Sequence, residues 1–270
     1  MSIHISTAYA ATLAASEQTN APIICYQNLL TSANLSTDEA NTAFPAVNLA
    51  NVSTASIWKA TTLAEQYITS AISTVETVNF VAIARHNFGT AGIAVSIEGD
   101  PDGLGFDELV ASAIPANDAP LIFRFTPIAL TSIRIKLAAG TVIPQAAVVY
   151  VGTDLPLQRN IYVGHTPITY GRSNRIVNGR SESGNFLGRI VIGSSVGTSV
   201  SLQNLTAAWY RASFEPFLLA AKEAPFFFGW RPSTYSAEAG FAWLTNEPQP
   251  VNQRSNGMMM IDMNLGGIAT

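Results

Sequence analysis

Cysteine, histidine and charge are all scarce in this 270-residue chain, and each scarcity excludes something. Cys25 is the single cysteine, so no intrachain disulfide and no cysteine-rich metal site can form. The three histidines, His4, His86 and His165, are far apart and none belongs to a paired motif, which argues against zinc. Long apolar runs are missing too. The best one, Phe214 to Trp230, is broken by Glu215, Pro216, Lys222, Glu223 and Pro225, too often for a bilayer span. No Lys or Arg precedes the Ala-rich start, so no secretory signal is expected and assembly in a reducing cytoplasm is.

Charged residues make up 12% of the chain, about half the usual share of a soluble domain. Abundant Ser, Thr, Asn and Gln would keep such a surface soluble; coverage by partner subunits would explain it as well. Charge is also uneven. Residues 1–155 hold 5 basic against 12 acidic side chains and residues 156–270 hold 9 against 6. An acidic part followed by a basic part suggests two units, with a boundary near Gly152 to Pro156, and head-to-tail attraction between copies. Arg159, Arg172, Arg175, Arg180 and Arg189 read as a solvated strand-and-loop face, because a net +3 over more than a hundred residues is small for phosphate-driven binding.

What is plentiful is aromatic and β-branched sequence bounded by Gly and Pro. Pro225 to Pro232 and Gly240 to Leu244 predict two short buried strands joined by a polar loop. Further strands are expected at 78–84, 93–98, 121–125, 132–137, 146–151, 160–163, 175–177, 186–192, 200–202 and 258–264, with an arm or edge strand over the first 20 residues. In the last of these strands Met259, Ile261, Met263 and Leu265 form one apolar face. Asn178-Gly179 and Asn256-Gly257 carry the hairpin signal, and Pro216 to Glu223 predicts one helix. The expected class is all-β, two antiparallel sandwiches.

Catalytic constellations are weak. Gly193-Ser194-Ser195-Val196-Gly197 matches a nucleophile elbow, but a β-like segment follows Ser195 and every histidine precedes it, so a turn is the better reading and no enzyme is expected. Asp100, Asp102, Asp107 and Glu108 could attract a hard cation, yet Pro101 and Gly103 make the segment an ordinary turn. No cofactor is indicated.

Asn28-Leu29-Leu30, Phe44-Pro45-Ala46 with Asn48 and Asn51, Trp58, and the strand Asn79 to Ala84 running into Arg85-His86-Asn87-Phe88-Gly89 resemble the discoidin (F5/8 type C) family, a galactose-binding-like jelly roll. The likeness covers roughly residues 24–151, and Ile68 to Thr74 departs from it where that family has an Asp-Leu-Gly ending. It makes Trp58, Arg85, His86 and Asn87 the candidate glycan contacts. The path from Arg159-Asn160-Ile161-Tyr162 through Asn185-Phe186-Leu187-Gly188 and Phe226 to Pro232, ending at Ile261 to Gly267, is similar to distal-tail or baseplate proteins at the tail tip of long-tailed bacteriophages. That resemblance implies an arm (1–23), a discoidin-like jelly roll (24–155) and a tail-tube-like β-domain with one flanking helix (156–270). It further implies a virion component forming a trimeric or hexameric ring that joins tail tube to hub or fibre proteins. The rival expectation is a carbohydrate-binding module that contacts a host glycan. No membrane and no specific nucleic acid are expected as partners.

Overall fold

The computed structural model describes residues 1–268, with side chains described except at 73–75; residues 269 and 270, the end of the expected second unit, lie outside the described residues. The protein is all-β, with two large sheets that are antiparallel except for one short parallel strand. The first sheet runs in the order Val148–Gly152, Gln66–Ala84, Leu121–Leu137, Val95–Asp100 and Asp107–Ala113. Leu35–Thr37 pairs with Gln66–Ala84, and Ile3–Ile5 lies parallel to Leu121–Leu137. The second sheet runs Leu155–Pro156, Ile23–Cys25, Phe226–Gly229, Ala239–Leu244, Met259–Ile268, Phe186–Leu205 and Arg172–Arg180.

Side chains alternate between faces along a strand, so a strand buried on both sides reads as a continuous apolar run. Phe226-Phe227-Phe228 is such a run. Phe226 and Phe228 face one core with Phe214, Phe217 and Leu218 from the helical segment, whereas Phe227 faces the opposite core with Tyr150 and Phe241. That second core lies between the two sheets: Phe80, Ala82, Ile122 and Val148 from the first sheet meet Ile23, Cys25, Phe227 and Phe241 from the second. A third core covers the far face of the first sheet, where Val81, Ile83, Phe123 and Val149 pack with Trp58 and Phe88. The same strands therefore supply alternate residues to different cores.

The corner at which the chain passes from the first sheet to the second is held by Asp154. Its carboxylate accepts from Arg124 Nε at 2.7 Å and Nη2 at 2.6 Å, and from Asn79 Nδ2 at 2.6 Å. Arg124 and Asp154 are both buried. Burial of such a pair stabilises little by itself, but loss of either partner leaves an uncompensated charge between the sheets. Arg124 also lies over the Tyr9 ring, 5.2 Å from its centroid, and so ties the N-terminal segment to the corner.

Three local expectations are corrected. After Ile3–Ile5 the chain forms a helix, Thr7–Ala15, whose N-cap Ser6 accepts from the Tyr9 N–H; its apolar contacts are few, which is why periodicity did not reveal it. Asn178 and Gly179 lie inside a strand, opposite Arg189 and Gly188, and the chain reverses at Ser181–Asn185, where two Ser181–Asn185 hydrogen bonds close the turn. Residues 160–163 form a loop. Elsewhere separate expectations merge: 121–125 and 132–137 are one strand, as are 186–192 and 200–202. The helix begins earlier than expected, at Ala207, and passes through a widened turn at Tyr210–Phe214 just before Pro216, which has no N–H to offer the preceding turn. Met259, Ile261, Met263 and Leu265 are all buried while Asp262 and Asn264 are exposed, as the alternation predicts.

Candidate functional site

The end of Gln66–Ala84 delivers Arg85 with φ of 57°, a left-handed backbone that turns the chain sharply. His86 then folds inward. Its Nε2 donates to the Ala119 carbonyl at 2.8 Å, which leaves Nδ1 to accept from the Phe88 N–H at 3.2 Å, and the ring stacks on Phe88. Burial pushes its pKa down to about 4, so it is neutral and both nitrogens are committed. Asn87 is equally occupied: its amide donates to the Ile143 carbonyl at 2.9 Å and its oxygen accepts from the Gln145 N–H at 3.0 Å. Gly89 completes the turn, because a Cβ there would lie 2.4 Å from the Asn117 backbone. The turn is thus fastened to two neighbouring segments, at 117–119 and 143–145.

Over it lies a cavity of about 330 Å³ lined by Arg85, His86, Asn87, Asp118, Gln145 and Ile57, among others. Arg85 is exposed and engages in no hydrogen bond or ion pair among the described residues. Asp118 accepts from the Thr90 N–H at 2.9 Å and from its hydroxyl, which fixes the carboxylate without exhausting its lone pairs. The pocket offers the Arg85 guanidinium, the held Asp118 carboxylate and Gln145, and no Phe, Tyr or Trp lines it.

Of the four candidate contacts, Arg85, His86 and Asn87 come together at this pocket. Trp58 does not: it is fully buried in the far core, its Nε1 donating to the Glu39 carbonyl at 3.0 Å. Asp118 and Gln145 escaped the sequence reading because they reach the site from segments distant in sequence, a loop and the short strand Gln145–Ala146, and neither stands in a motif. Ser195 lies inside the strand Phe186–Leu205 opposite Ser173, and the strand continues after it, where a nucleophile elbow needs a helix. Asp100 accepts from the Asp102 and Gly103 N–H groups, as in an Asx turn, and among the described residues no group of three or more His, Cys, Asp or Glu side chains could hold a metal ion. Nor is any described helix long and apolar enough to cross a membrane.

No family model matches the chain, and no curated protein does. Solved structures do. A chitosan-binding module from a chitosanase/glucanase of Paenibacillus sp. IK-5 is 15% identical over 46% of this chain and 98% of that one, with a TM-score of 0.42. The family 32 carbohydrate-binding module of C. perfringens NanJ, in complex with galactose, is 16% identical over 48% of this chain and 98% of its own, TM-score 0.40. A third, from a family 31 glycoside hydrolase of Clostridium perfringens, is 16% identical over 46% and 93%, TM-score 0.38. These neighbours are carbohydrate-binding modules, each similar to about half of this chain, and none of the three is a bacteriophage tail protein.

Proposed function

We propose that this protein acts by binding, and that its first half contacts a carbohydrate at the pocket over the Arg85 turn. The observation that carries this reading is the exposed, unpaired Arg85 guanidinium beside Asp118 and Gln145, on a turn whose geometry His86 and Asn87 lock. Sugar hydroxyls are donors and acceptors at once, and a free guanidinium on a held backbone beside a fixed carboxylate suits vicinal hydroxyl groups. Without an aromatic face the affinity rests on hydrogen bonding, so dissociation constants in the millimolar range, about 4 kcal/mol of binding, are expected. His86 and Asn87 then serve as positioning residues, and Trp58 as scaffold.

The test is titration of the full chain with a panel of neutral and acidic saccharides, followed by nuclear magnetic resonance shifts. Saturable binding lost in Arg85→Ala, with the thermal transition unchanged, supports the reading. No saturable binding at about 10 mM sugar, or binding indifferent to Arg85→Ala, overturns it.

A second reading, a virion component of a long-tailed phage tail tip that forms a homo-oligomeric ring between tube and hub or fibre proteins, is favoured by a different observation. The strands 172–180 and 186–195 project as a two-stranded arm with bare apolar residues on both faces. Immunogold imaging of virions from a producing strain tests it: label at the tail tip supports the reading, and label absent from particles overturns it. The two readings describe an adhesive unit and an assembly unit, which one chain can carry. Neither requires turnover, a cofactor or nucleic acid.

A further inference from the structure

The arm pairs from Arg172 opposite Val196 out to Arg180 opposite Phe186, whereas Met259–Ile268 supports the longer strand only from Val196 to Leu205. Over residues 172–195 the sheet is therefore two strands wide, open along both edges. Its root is fixed: Gly197 N–H donates to the Gly171 carbonyl at 2.8 Å, and a Cβ on Gly171 would lie 1.8 Å from the Gly197 oxygen. Beyond the root, Val177 is 50% exposed, Phe186 65%, Ile190 67% and Val191 56%. A lone two-stranded ribbon is marginal in water, and an uncovered apolar ribbon with open edges is a template for another chain.

Charge selects that chain. The arm carries Arg172, Arg175, Arg180 and Arg189 against Glu182 alone, so the protein's net −4 is an arm of +3 set against −7 elsewhere. Two arms repel one another, and the acidic body of a second copy attracts. The body also presents an unpaired edge of its own. Asp107–Ala113 is the last strand of the first sheet, and a cleft of about 550 Å³ lies beside it, lined by Glu108 to Ala111, by Phe125 to Ile128 and by the N-terminal residues Met1 and His4 to Ala8. Asp107 and Glu108 are exposed and join no ion pair among the described residues. An apolar cleft with an acidic strand edge matches an apolar arm with a basic strand edge.

We propose that the arm of one copy docks on the Asp107–Ala113 edge and its cleft in a second copy, in a head-to-tail contact that repeats from copy to copy and closes into a ring. This deepens the assembly reading and rests on it. Virion imaging tests the place in the particle, whereas the contact is tested with the purified full chain, so the two fail separately.

The experiment is analytical ultracentrifugation over a concentration series, with circular dichroism on every variant. Wild type self-associates. Val177→Glu with Ile190→Glu gives monomers with an unchanged spectrum. Arg175→Glu with Arg180→Glu weakens association by about tenfold or more, and adding Asp107→Lys with Glu108→Lys restores it. A wild type that stays monomeric at about 100 μM, or association that survives the arm substitutions, overturns the proposal; so does failure of the charge swap to restore it. Retention of a DNA duplex by the arm in the absence of self-association also overturns it, and makes the arm a nucleic-acid surface.

Discussion

The pair formed by Gln66–Ala84 and Leu121–Leu137 and the pair formed by Arg172–Arg180 and Phe186–Leu205 are built alike, as long antiparallel ribbons rich in β-branched residues and interrupted by bulges. Their surroundings differ. Ile83 is fully buried in one, and Ile190 is two-thirds exposed in the other. Pairing alone gives both the form of a strand ladder. Its contribution to stability depends on what covers the faces, because burial of apolar area supplies most of the favourable free energy. This chain covers most of the first ribbon on both sides, and it leaves the second largely bare outward of Val196.

The most severe way to break the contrast is to remove the cover. A fragment of residues 24–151 loses Phe227, Phe241 and Ile3 from the core between the sheets, and Asp154 from beside Arg124. It should show no cooperative thermal transition and should bind a hydrophobic dye. A sharp melt would show that the first unit folds independently of the shared core. In the full chain, Asp154→Ala leaves Arg124 buried without its partner and should cost about 3–5 kcal/mol in urea unfolding. A loss below about 1 kcal/mol would place water or another partner at the corner.

The two isoleucines give the matched test: Ile83→Ala should cost about 2–5 kcal/mol, and Ile190→Ala less than about 0.5 kcal/mol in dilute protein. Equal costs would mean that the arm is already covered. His86 supplies a smaller, pH-dependent effect. Its folded-state pKa of about 4 lies below the unfolded value near 6.5, so the unfolded chain takes the proton first and stability is lost as pH falls through that window. Between pH 7 and pH 5 the loss attributable to His86 should be about 2 kcal/mol, read as the difference between wild type and His86→Gln, because His4 and His165 are also shifted downward by burial. Coincident pH profiles would contradict the buried, neutral His86. Smallest of all, Arg85→Ala should leave stability unchanged within about 0.5 kcal/mol, since its side chain makes no internal bond.

Alternation and punctuation in the sequence determined the all-β class, the paired strands around Phe227 and Phe241, and the buried face of Met259, Ile261, Met263 and Leu265. These follow from the two-residue period of a strand, which the chain carries locally. The triple Phe run also announced a buried strand, though not that its two faces enter different cores. Only the tertiary structure decided that the two sheets share a core, that Asp154 meets Arg124 at the crossing, and that His86 Nε2 and the Asn87 amide are spent on Ala119, Ile143 and Gln145, leaving Arg85 to face solvent. Tertiary structure also separated Ile83 from Ile190. Both sit in ordinary strand sequence, and burial is a property of the surfaces that meet around a strand, which no local pattern encodes.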